Sequence, residues 1–503
     1  MTTDTTSGWL ARIERAGNRL PEPATLFAAG LAVVLIVSQL ADWAGLAVTR
    51  PGSGEVVGAR GLLDSEGVWW LVSHLVENFV DFRPLGLVLV AMLGMGVAER
   101  SGLFAAAFRR GMRRLPDRLL TPGILVLGVL LAADPGYIIL PPLAAYLFAL
   151  RGRPPLAGLA AAAAGVAAGF SANYILTFLD AMLAGLTETG AQILDPDYTV
   201  AVAANWGFMA ASAVILPFVG WFVTARWVEP RLRAAGETVD KAVDDTDISD
   251  EGPNPQRGLR WAGRGLLLTA VLLAAAIAIP GAPLHGPGEQ AQRWMEALVP
   301  ILFVVFLVPG IAYGVGAGTI RSDRDLAAMM NGTLSVMAPF ILLAFFAAQM
   351  IAAFNYSKLG AMLAVVGGQT LADTGLPPAL LMVGFVLLVM AGNLLIGSAS
   401  AKYALLAPVF VPMFMQAGIS PELTQAAYRV GDSVTNPICP LNPYLVVILT
   451  FMRRYKPDAG LGSLVALQLP YSLAFAAVWL VLLGLWITAG WPLGPGGPLA
   501  YPG

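Results

Sequence analysis

The sequence predicts an all-α integral membrane protein with nine transmembrane helices and two re-entrant hairpins, arranged as an inverted-topology repeat with broken helices. Three observations support this fold class. The chain of 503 residues is 57% hydrophobic and only 12% charged, whereas a soluble chain carries about a quarter charged residues. Several apolar runs reach the ~20 residues that a helix needs to cross the hydrocarbon layer. Basic residues cluster in the short loops between these runs.

The composition excludes several other classes of protein. Cys439 is the only cysteine, so an internal disulfide and a thiolate metal cage are excluded. Two histidines are too few for a zinc site, and no nucleophile–base pair appears, so an enzyme is not expected. Basic residues in short clusters between apolar runs do not indicate nucleic-acid binding. Residues 1–24 carry three arginines and no signal-peptide pattern, which predicts a cytoplasmic N-terminal segment.

Nine apolar runs are predicted to cross the bilayer. They lie at 25–48, 84–98, 156–187, 200–225, 262–280, 298–317, 326–354, 421–452 and 462–490. The predicted units are the first two spans as a scaffold (25–98), the first repeat (119–225), the middle spans (262–354), the second repeat (378–452) and the last span (462–490). Residues 229–260, which contain ETVDKAVDDTDISDEGPNPQR, are predicted to form an acidic, solvated cytoplasmic linker.

Two further apolar stretches are predicted to be re-entrant hairpins. Residues 119–150 have arginines at both ends, and such residues mark the cytoplasmic side. The stretch therefore returns to the side from which it entered, and its roughly 32 residues are too few for two full spans. Residues 378–416 must likewise return to the outer side if the basic loop at Arg453 is cytoplasmic. Their length of about 39 residues also fits a pair of short spans.

Each hairpin is followed by a span that contains a polar cluster. The first precedes the broken helix 156–187, which contains GFSAN, and the second precedes the broken helix 421–452, which contains RVGDSVTNPICPLNPY. The two units enter from opposite sides, and interrupted apolar segments in matching positions of an inverted repeat point to a transport site at the bilayer midplane. Gly169, Gly431 and Pro437 are expected to end helices at these breaks.

The polar residues of the hairpin tips and breaks are the candidate ligands. They are Ser171, Asn173, Ser398, Ser400, Ser433, Thr435 and Asn436. Each residue could instead cap a broken helix, but the two matched clusters together predict a polar cavity. Half-helix N-termini attract carboxylates, and exposed carbonyl and hydroxyl oxygens suit a hard cation. If the coupling ion is sodium, it is expected near Asn173, Asp432 and Thr435; no other metal site is expected.

These segments resemble a known family, the p-aminobenzoyl-glutamate transporter (AbgT) family. The resemblance covers about residues 18–455. It rests on NRLPEPATLF, PLGLVLVAMLGMGVAERSGLF, GFSANYILTFLDAMLAGLTE, and GSASAKYALLAPVFVPMF running into SPELTQAAYRVGDSVTNPICPLNPYL. The resemblance implies a homodimer in a bacterial inner membrane, with nine spans and two hairpins in each protomer. It also implies uptake of p-aminobenzoyl-glutamate, a folate fragment, or efflux of sulfonamide antimetabolites.

The resemblance also assigns functional positions. They are Asp180 in the first broken helix, Asn393 before the second hairpin tip, Pro421 at the start of the second broken helix, and the pair Arg429 and Asp432. Tyr403 stands where the family usually has tryptophan, so the aromatic partner is retained at smaller size. Cys439-Pro440 replaces the usual threonine-proline, and NPYL replaces a more apolar stretch. These departures bear on substrate identity more than on fold.

Charged residues inside a membrane are costly and mark functional sites. Arg429 is expected to bind a substrate anion, because its guanidinium fork can hold a carboxylate in two places. Asp180 and Asp432 are expected to carry the coupling proton or cation, with the adjacent Ser433 and Thr435. Alternatively, Arg429 and Asp432, three residues apart, form a structural ion pair, and Asp180 serves helix packing. Tyr403 is expected to stack on an aromatic substrate ring, or else only to pack.

The sequence therefore predicts a secondary active transporter for small anionic or aromatic molecules, in contact with membrane lipid and without a cofactor beyond a coupling proton or sodium ion. Two alternatives remain open. A sodium-coupled dicarboxylate carrier of similar architecture would accept succinate or citrate and be indifferent to sulfonamides. A passive channel would show flux that does not depend on an ion gradient.

Overall fold

The computed structural model describes residues 23–49, 56–113, 116–130, 134–235, 252–285, 293–442 and 444–501. The predicted N-terminal segment 1–24 and the centre of the predicted linker lie outside these residues, apart from Pro23 and Ala24. Within the described residues the regular secondary structure is helical except for one two-stranded antiparallel sheet and two isolated bridges. In that sheet, β1 (Ala47–Thr49) pairs with β2 (Val56–Gly58). The predicted all-α class is confirmed at this level.

The first half of the chain contains eleven described helices. They are α1 (Pro23–Trp43), α2 (Ser65–Ser73), α3 (Leu75–Val80), α4 (Arg83–Arg100), α5 (Leu103–Arg113), α6 (Asp117–Leu130), α7 (Asp134–Leu150), α8 (Pro155–Ala168), α9 (Phe178–Ala191), α10 (Trp206–Val223) and α11 (Glu229–Ala234). A π-helical turn (Thr224–Val228) joins α10 to α11 without a break. The helical path thus continues into the region predicted as linker.

The second half contains the remaining described helices. They are α12 (Pro255–Ala278), α13 (Arg293–Glu296), α14 (Leu298–Ala317), α15 (Asp323–Tyr356), α16 (Leu359–Asp373), α17 (Pro378–Asn393), α18 (Ala399–Gln416), α19 (Pro421–Thr435), α20 (Tyr444–Tyr455) and α21 (Leu461–Ala489). A short 3-10 turn (Asn436–Ile438) follows α19 directly.

Six helical segments of the described chain are long and apolar enough to cross a membrane. They are α1, the continuous α10–α11 segment, α12, α14, α15 and α21. The pair α4 and α5, bent by 57°, would form a seventh. Shorter apolar helices, among them α8 and α17, lie between these spans. A multi-pass membrane protein follows from this set.

The helix bounds correct the sequence prediction at three places. The predicted linker 229–260 is helical at both ends, since α11 ends at Ala234 and α12 starts at Pro255. Helix α16 belongs to none of the predicted spans, because its 15 residues are fewer than the ~20 that a full span needs. Gly431 was expected to end a helix but lies inside α19. A Cβ at Gly431 would come within 2.7 Å of the Val386 carbonyl oxygen, so this glycine lets α19 approach α17 closely.

Four helix ends surround the centre of the fold. Helix α8 ends at Ala168 and α9 begins at Phe178, so nine residues of irregular chain separate them. Helix α17 ends at Asn393 and α18 begins at Ala399. Helix α19 packs against α8, α9, α17, α18 and α21, and every residue of α19 is buried. The polar residues of α19 therefore face protein on all sides.

Helices α6 and α8 touch through their backbones at one point, which predicts a strong steric effect of substitution. A Cβ at Gly128 of α6 would lie 2.8 Å from the backbone of Gly165 in α8. Gly128→Val should wedge the two helices apart and cost about 1–3 kcal/mol or more of stability. We expect a lower melting temperature and a smaller monodisperse fraction in detergent. Gly484→Ala in α21, where a Cβ meets nothing within 4 Å, should leave both quantities unchanged; equal losses in the two variants would contradict the contact.

Candidate functional site

The irregular segment after α8 contacts the C-terminal half of α19, some 260 residues further along the chain. The backbone N–H of Ser171 donates a hydrogen bond to Ser433 Oγ at 3.1 Å. Asn436 Nδ2 donates to the Ala167 carbonyl oxygen at 3.4 Å. The side chains of Ser171, Ser433 and Asn436 are buried, and these hydrogen bonds replace helical ones that each break removes. The two breaks predicted from the sequence thus face each other.

Arg429 and Asp180 form an ion pair across this contact. Arg429 Nη1 lies 2.7 Å from Asp180 Oδ1, and the two side chains are 0% and 1% exposed. Arg429 Nη2 also donates to the Ser171 carbonyl oxygen at 2.8 Å and to Asn173 Oδ1 at 3.2 Å. One guanidinium group therefore binds the aspartate and the irregular segment at the same time.

Asp180 also organises the start of its own helix. It is the third residue of α9, where its Oδ2 accepts hydrogen bonds from the Thr177 N–H at 2.7 Å and from Asn173 Nδ2 at 2.6 Å. Thr177 and Asp180 make the reciprocal contacts of a capping box. The resemblance placed Asp180 in the first broken helix, and in the structure it lies where the chain becomes helical again after the break.

Lys402 of α18 and Asp432 form a second buried ion pair, and Asp432 lies three residues after Arg429 on α19. Lys402 Nζ lies 2.6 Å from Asp432 Oδ1, and both side chains are 2% exposed. Asn393, at the end of α17, accepts a hydrogen bond from Lys402. Its amide group donates to the Asp432 carbonyl oxygen at 2.9 Å and lies 2.8 Å from Thr435 Oγ1. Asn393 thus joins the end of α17 and the first turn of α18 to the second break.

The two pairs show that Arg429 and Asp432 do not neutralise each other. Each binds an oppositely charged residue on another helix, Asp180 of α9 and Lys402 of α18 respectively. The structural alternative of a local Arg429–Asp432 pair is therefore wrong. Two cations and two carboxylates compensate one another, as buried charges require.

Tyr403 and Pro421 belong to neither ion pair. Tyr403 is fully buried, its ring 4.2 Å from that of Tyr428 and its hydroxyl 2.7 Å from Thr187 Oγ1. Pro421 opens α19, so it lies roughly 22 Å from Asn436 at 1.5 Å per residue. Both residues were predicted to bind substrate, and neither lines the cavity described next.

A cavity of about 550 Å³ lies beside the connection between α17 and α18 and beside the second break. Ser398, Ser400, Asn436 and Asn442 line its polar part. Its walls carry five aromatic side chains, namely Tyr137, Phe170, Phe178, Phe340 and Tyr444. The rings of Tyr137 and Tyr444 stack at 4.4 Å. These dimensions and this mixture of aromatic and polar walls are typical of a site for one small organic molecule.

Residues of the cavity wall adjoin the residues of the two ion-pair clusters. Leu179 lines the cavity and directly precedes Asp180. Asn436 lines it as well, and its side-chain oxygen lies 2.9 Å from the Asn393 amide nitrogen. Ser398 caps α18, whose first residues, Ala399 and Ser400, also face the cavity. The N-terminus of an 18-residue helix thus points its partial positive charge at the polar part of the cavity.

The cavity's aromatic residues were not among the sequence candidates. Phe170 lies in the irregular segment after α8, Phe178 directly follows that segment, and Tyr444 opens α20 just beyond the second break. Their positions beside the breaks were a usable signal, because side chains next to non-helical backbone line whatever cavity the break forms. Tyr137 carries the same signal, because it directly follows the turn-forming Asp134-Pro135-Gly136 in the apolar stretch 119–150.

The predicted sodium ligands fall into two groups. Asn173 belongs to the Arg429 cluster, whereas Asp432 and Thr435 belong to the Lys402 cluster. The described residues contain no group of three histidine, cysteine or acidic residues that could hold a metal ion. The ammonium group of Lys402 already lies against the Asp432 carboxylate, so a sodium ion there would have to compete with it.

Comparison with known proteins identifies the family. A family model described as the AbgT putative transporter family matches residues 8–501. The chain belongs to the AbgT family. It is 36% identical over 498 residues to the p-aminobenzoyl-glutamate transport protein of Escherichia coli K12, covering 97% of this chain and 96% of that protein. The resemblance drawn from the sequence is thereby confirmed.

Two solved AbgT structures are similar over the whole fold. The YdaH transporter of Alcanivorax borkumensis, described as having an unusual topology, is 42% identical with a TM-score of 0.90, covering 94% of this chain and all of that one. MtrF of Neisseria gonorrhoeae, described as illuminating a class of antimetabolite efflux pumps, is 39% identical with a TM-score of 0.88. That comparison covers 97% of this chain and all of MtrF.

Proposed function

We propose that this AbgT-family protein is a secondary active transporter that carries p-aminobenzoyl-glutamate-like folate fragments, sulfonamide antimetabolites, or both, driven by a proton or sodium gradient. It works as a homodimer in a bacterial inner membrane, each protomer having nine spans and two re-entrant hairpins. One observation carries the proposal. A cavity of about 550 Å³ lies where a hairpin tip meets a broken helix, with two buried ion pairs directly behind its wall.

The cavity walls suit an aromatic anion. An aminobenzoyl or sulfonamide ring stacks favourably on aromatic side chains such as Phe170 and Tyr444. A carboxylate or sulfonyl oxygen is attracted to the N-terminus of α18 and to the Ser398 and Ser400 hydroxyl groups. The relatives named for p-aminobenzoyl-glutamate transport and for antimetabolite efflux are consistent with this chemistry.

The buried ion pairs suit coupling to a gradient. Arg429 and Lys402 do not line the cavity in this conformation, so a substrate anion reaches either cation only when the breaks rearrange. A substrate carboxylate that binds Arg429 releases Asp180, which then needs a proton or a cation as its new partner. The two events occur together because an unpaired buried charge costs several kcal/mol.

Flux measurements in proteoliposomes test the proposal. Purified protein is reconstituted, and proton and sodium gradients are imposed separately with labelled p-aminobenzoyl-glutamate, a sulfonamide or succinate. We expect one gradient to drive accumulation of the first two compounds and not of succinate. Accumulation of succinate alone would favour a dicarboxylate carrier. Flux that ignores both gradients would favour a channel.

Filling the cavity should block binding without disturbing the fold. Ser400 lines the cavity, and Ser400→Trp places an indole ring in the space for the substrate. We expect binding of p-aminobenzoyl-glutamate to weaken at least about tenfold, equivalent to about 1.4 kcal/mol, in calorimetric titration of the purified protein. Ser73→Trp on the exposed end of α2 is the control and should bind normally. Unchanged binding by Ser400→Trp would place the substrate elsewhere.

A further inference from the structure

One buried carboxyl group differs from the others in its partners. The described residues contain five acidic residues less than 9% exposed: Asp180, Glu188, Glu229, Glu422 and Asp432. Four of them form ion pairs: Asp180 with Arg429, Glu188 with Arg83, Glu229 with Arg153, and Asp432 with Lys402. Glu422, at 1% exposure, has no lysine or arginine within ion-pair distance among the described residues.

A tyrosine hydroxyl group contacts the Glu422 carboxyl group instead. Tyr198, in the loop between α9 and α10, places its hydroxyl oxygen 3.1 and 3.0 Å from the two carboxyl oxygens. The neighbouring contacts are polar and uncharged. Ser420 caps the N-terminus of α19, and Asn205 donates to the Glu422 backbone carbonyl oxygen at 2.9 Å.

This environment disfavours a carboxylate. Glu422 is the second residue of α19, and a helix N-terminus stabilises a negative charge by up to about 2 kcal/mol in buried settings. Removing an ion from water costs several kcal/mol after relaxation, so the helix N-terminus alone does not compensate. A neutral carboxyl group needs only hydrogen bonds, and the Tyr198 hydroxyl can donate to one oxygen or accept from the protonated one.

Tyr198 also lies close to the protein surface. Tyr198 packs against Tyr501 with ring centroids 5.8 Å apart, and the Tyr501 hydroxyl donates to Asp195 Oδ2 at 3.1 Å. Asp195, Tyr198 and Tyr501 are all partly exposed. Burial, followed by the neighbouring Glu422 carboxyl group, raises the pKa of the Tyr198 hydroxyl above its usual value. Tyr198 therefore stays neutral and acts as a hydrogen-bonding contact between Glu422 and the water near Asp195.

On its inner side Glu422 begins a row of buried polar groups along α19. Gln425, one turn further, accepts a hydrogen bond from Thr187 Oγ1 at 2.8 Å, and Thr187 contacts the Tyr403 hydroxyl. Tyr403 packs against Tyr428, whose hydroxyl lies 3.4 Å from Asp432 Oδ1. Every member of this row is buried. The row joins the end of α19 near the loop to the Lys402–Asp432 pair.

The C-terminal segment closes this end of α19. Ser420 donates from its N–H to the Leu499 carbonyl oxygen and from its hydroxyl to the Pro498 carbonyl oxygen, at 3.1 and 2.6 Å. The Tyr501 N–H donates to the Gly418 carbonyl oxygen at 3.0 Å. The segment therefore holds Tyr501 beside Tyr198 and keeps bulk water from Glu422 in this conformation.

We propose that Glu422 is a proton-binding site of the transport cycle, neutral in this conformation and exchanging its proton with water at the α9–α10 loop past Tyr198. The role of Glu422 in transport rests on the proposed function, whereas its protonation does not. In the binding step a hydronium ion gives its proton to a carboxylate oxygen of Glu422 and leaves as water. In the reverse step the O–H bond of the carboxyl group breaks and water takes the proton. Neither step oxidises or reduces any group.

Infrared spectroscopy tests the protonation state without relying on transport. The purified protein is compared with Glu422→Gln in the carbonyl-stretch region of protonated carboxyl groups, at neutral pH. We expect a band in the original protein that disappears in Glu422→Gln and shifts in Tyr198→Phe, which keeps the ring and removes the hydroxyl contact. Asp197→Asn, an exposed acid of the same loop, should leave the band unchanged. A spectrum of Glu422→Gln identical to the original one would overturn the proposal.

Transport assays test the role of the proton. In proteoliposomes, Glu422→Gln should retain exchange of labelled for unlabelled p-aminobenzoyl-glutamate across the membrane and lose accumulation driven by a proton gradient. Accumulation by Glu422→Gln equal to that of the original protein would overturn the role. If the original protein itself accumulates nothing under any gradient, the proposed function fails, while the infrared band still decides whether Glu422 binds a proton.

Discussion

Replacing Arg429 by alanine is expected to abolish transport and to lower the free energy of unfolding by roughly 3–5 kcal/mol, because it leaves a buried carboxylate without its cation. Asp180 would keep the hydrogen bonds from Asn173 and Thr177 but lose the guanidinium at 2.7 Å. The irregular segment after α8 would also lose its contact at the Ser171 carbonyl. Flux in proteoliposomes and thermal unfolding in detergent measure the two effects.

A charge-balanced double variant separates function from stability. Arg429→Ala with Asp180→Asn removes both charges, so most of the lost stability should return while transport stays absent. Arg233→Ala is the control for a lost arginine: its side chain is 60% exposed, and its partner Glu229 keeps Arg153. That loss should cost no more than about 1 kcal/mol. Transport at the original rate by the double variant would show that Arg429 serves only to neutralise Asp180.

The fold class was predictable because hydrocarbon imposes simple requirements on sequence. Spanning helices must be apolar and about 20 residues long, and α14 accordingly has the same bounds as the predicted run 298–317. Polar clusters in apolar runs are equally conspicuous, so the breaks after Ala168 and Thr435 lie where GFSAN and the NPICP stretch indicated. Gly431 misled because a glycine inside a helix and one at its end look alike in sequence.

The pairing of the charges could not be predicted from sequence. Sequence spacing suggested Arg429 with Asp432, since residues three apart share a helix face. The choice of Asp180 and Lys402 instead depends on which helices surround α19, and that is a property of the tertiary packing. Tyr403 illustrates the same limit. Its aromatic character fitted substrate stacking, but its ring packs on Tyr428 and its hydroxyl faces Thr187.

Removing Lys402 should make the stability of the protein depend on cation concentration. In Lys402→Met, Asp432 loses its partner at 2.6 Å and remains buried, so a proton or sodium ion becomes its only available counter-charge. A ligand that binds only the folded state stabilises it by RT ln(1 + [L]/Kd). The melting temperature of Lys402→Met should therefore rise with sodium concentration, or as the pH falls, and that of the original protein should change less.

The ion that produces this response identifies the cation that Asp432 accepts when its lysine is absent. A response to sodium at constant pH and ionic strength would point to sodium at Asp432, and a response to pH alone would point to a proton. Lys402→Met combined with Asp432→Asn removes the carboxylate and should abolish either response. Lys358→Met, at the exposed start of α16, controls for loss of a lysine. Removing Lys402 leaves the Asp432 carboxylate free to bind an ion. If the melting temperature of Lys402→Met nevertheless depends on neither sodium nor pH, Asp432 does not accept the coupling ion.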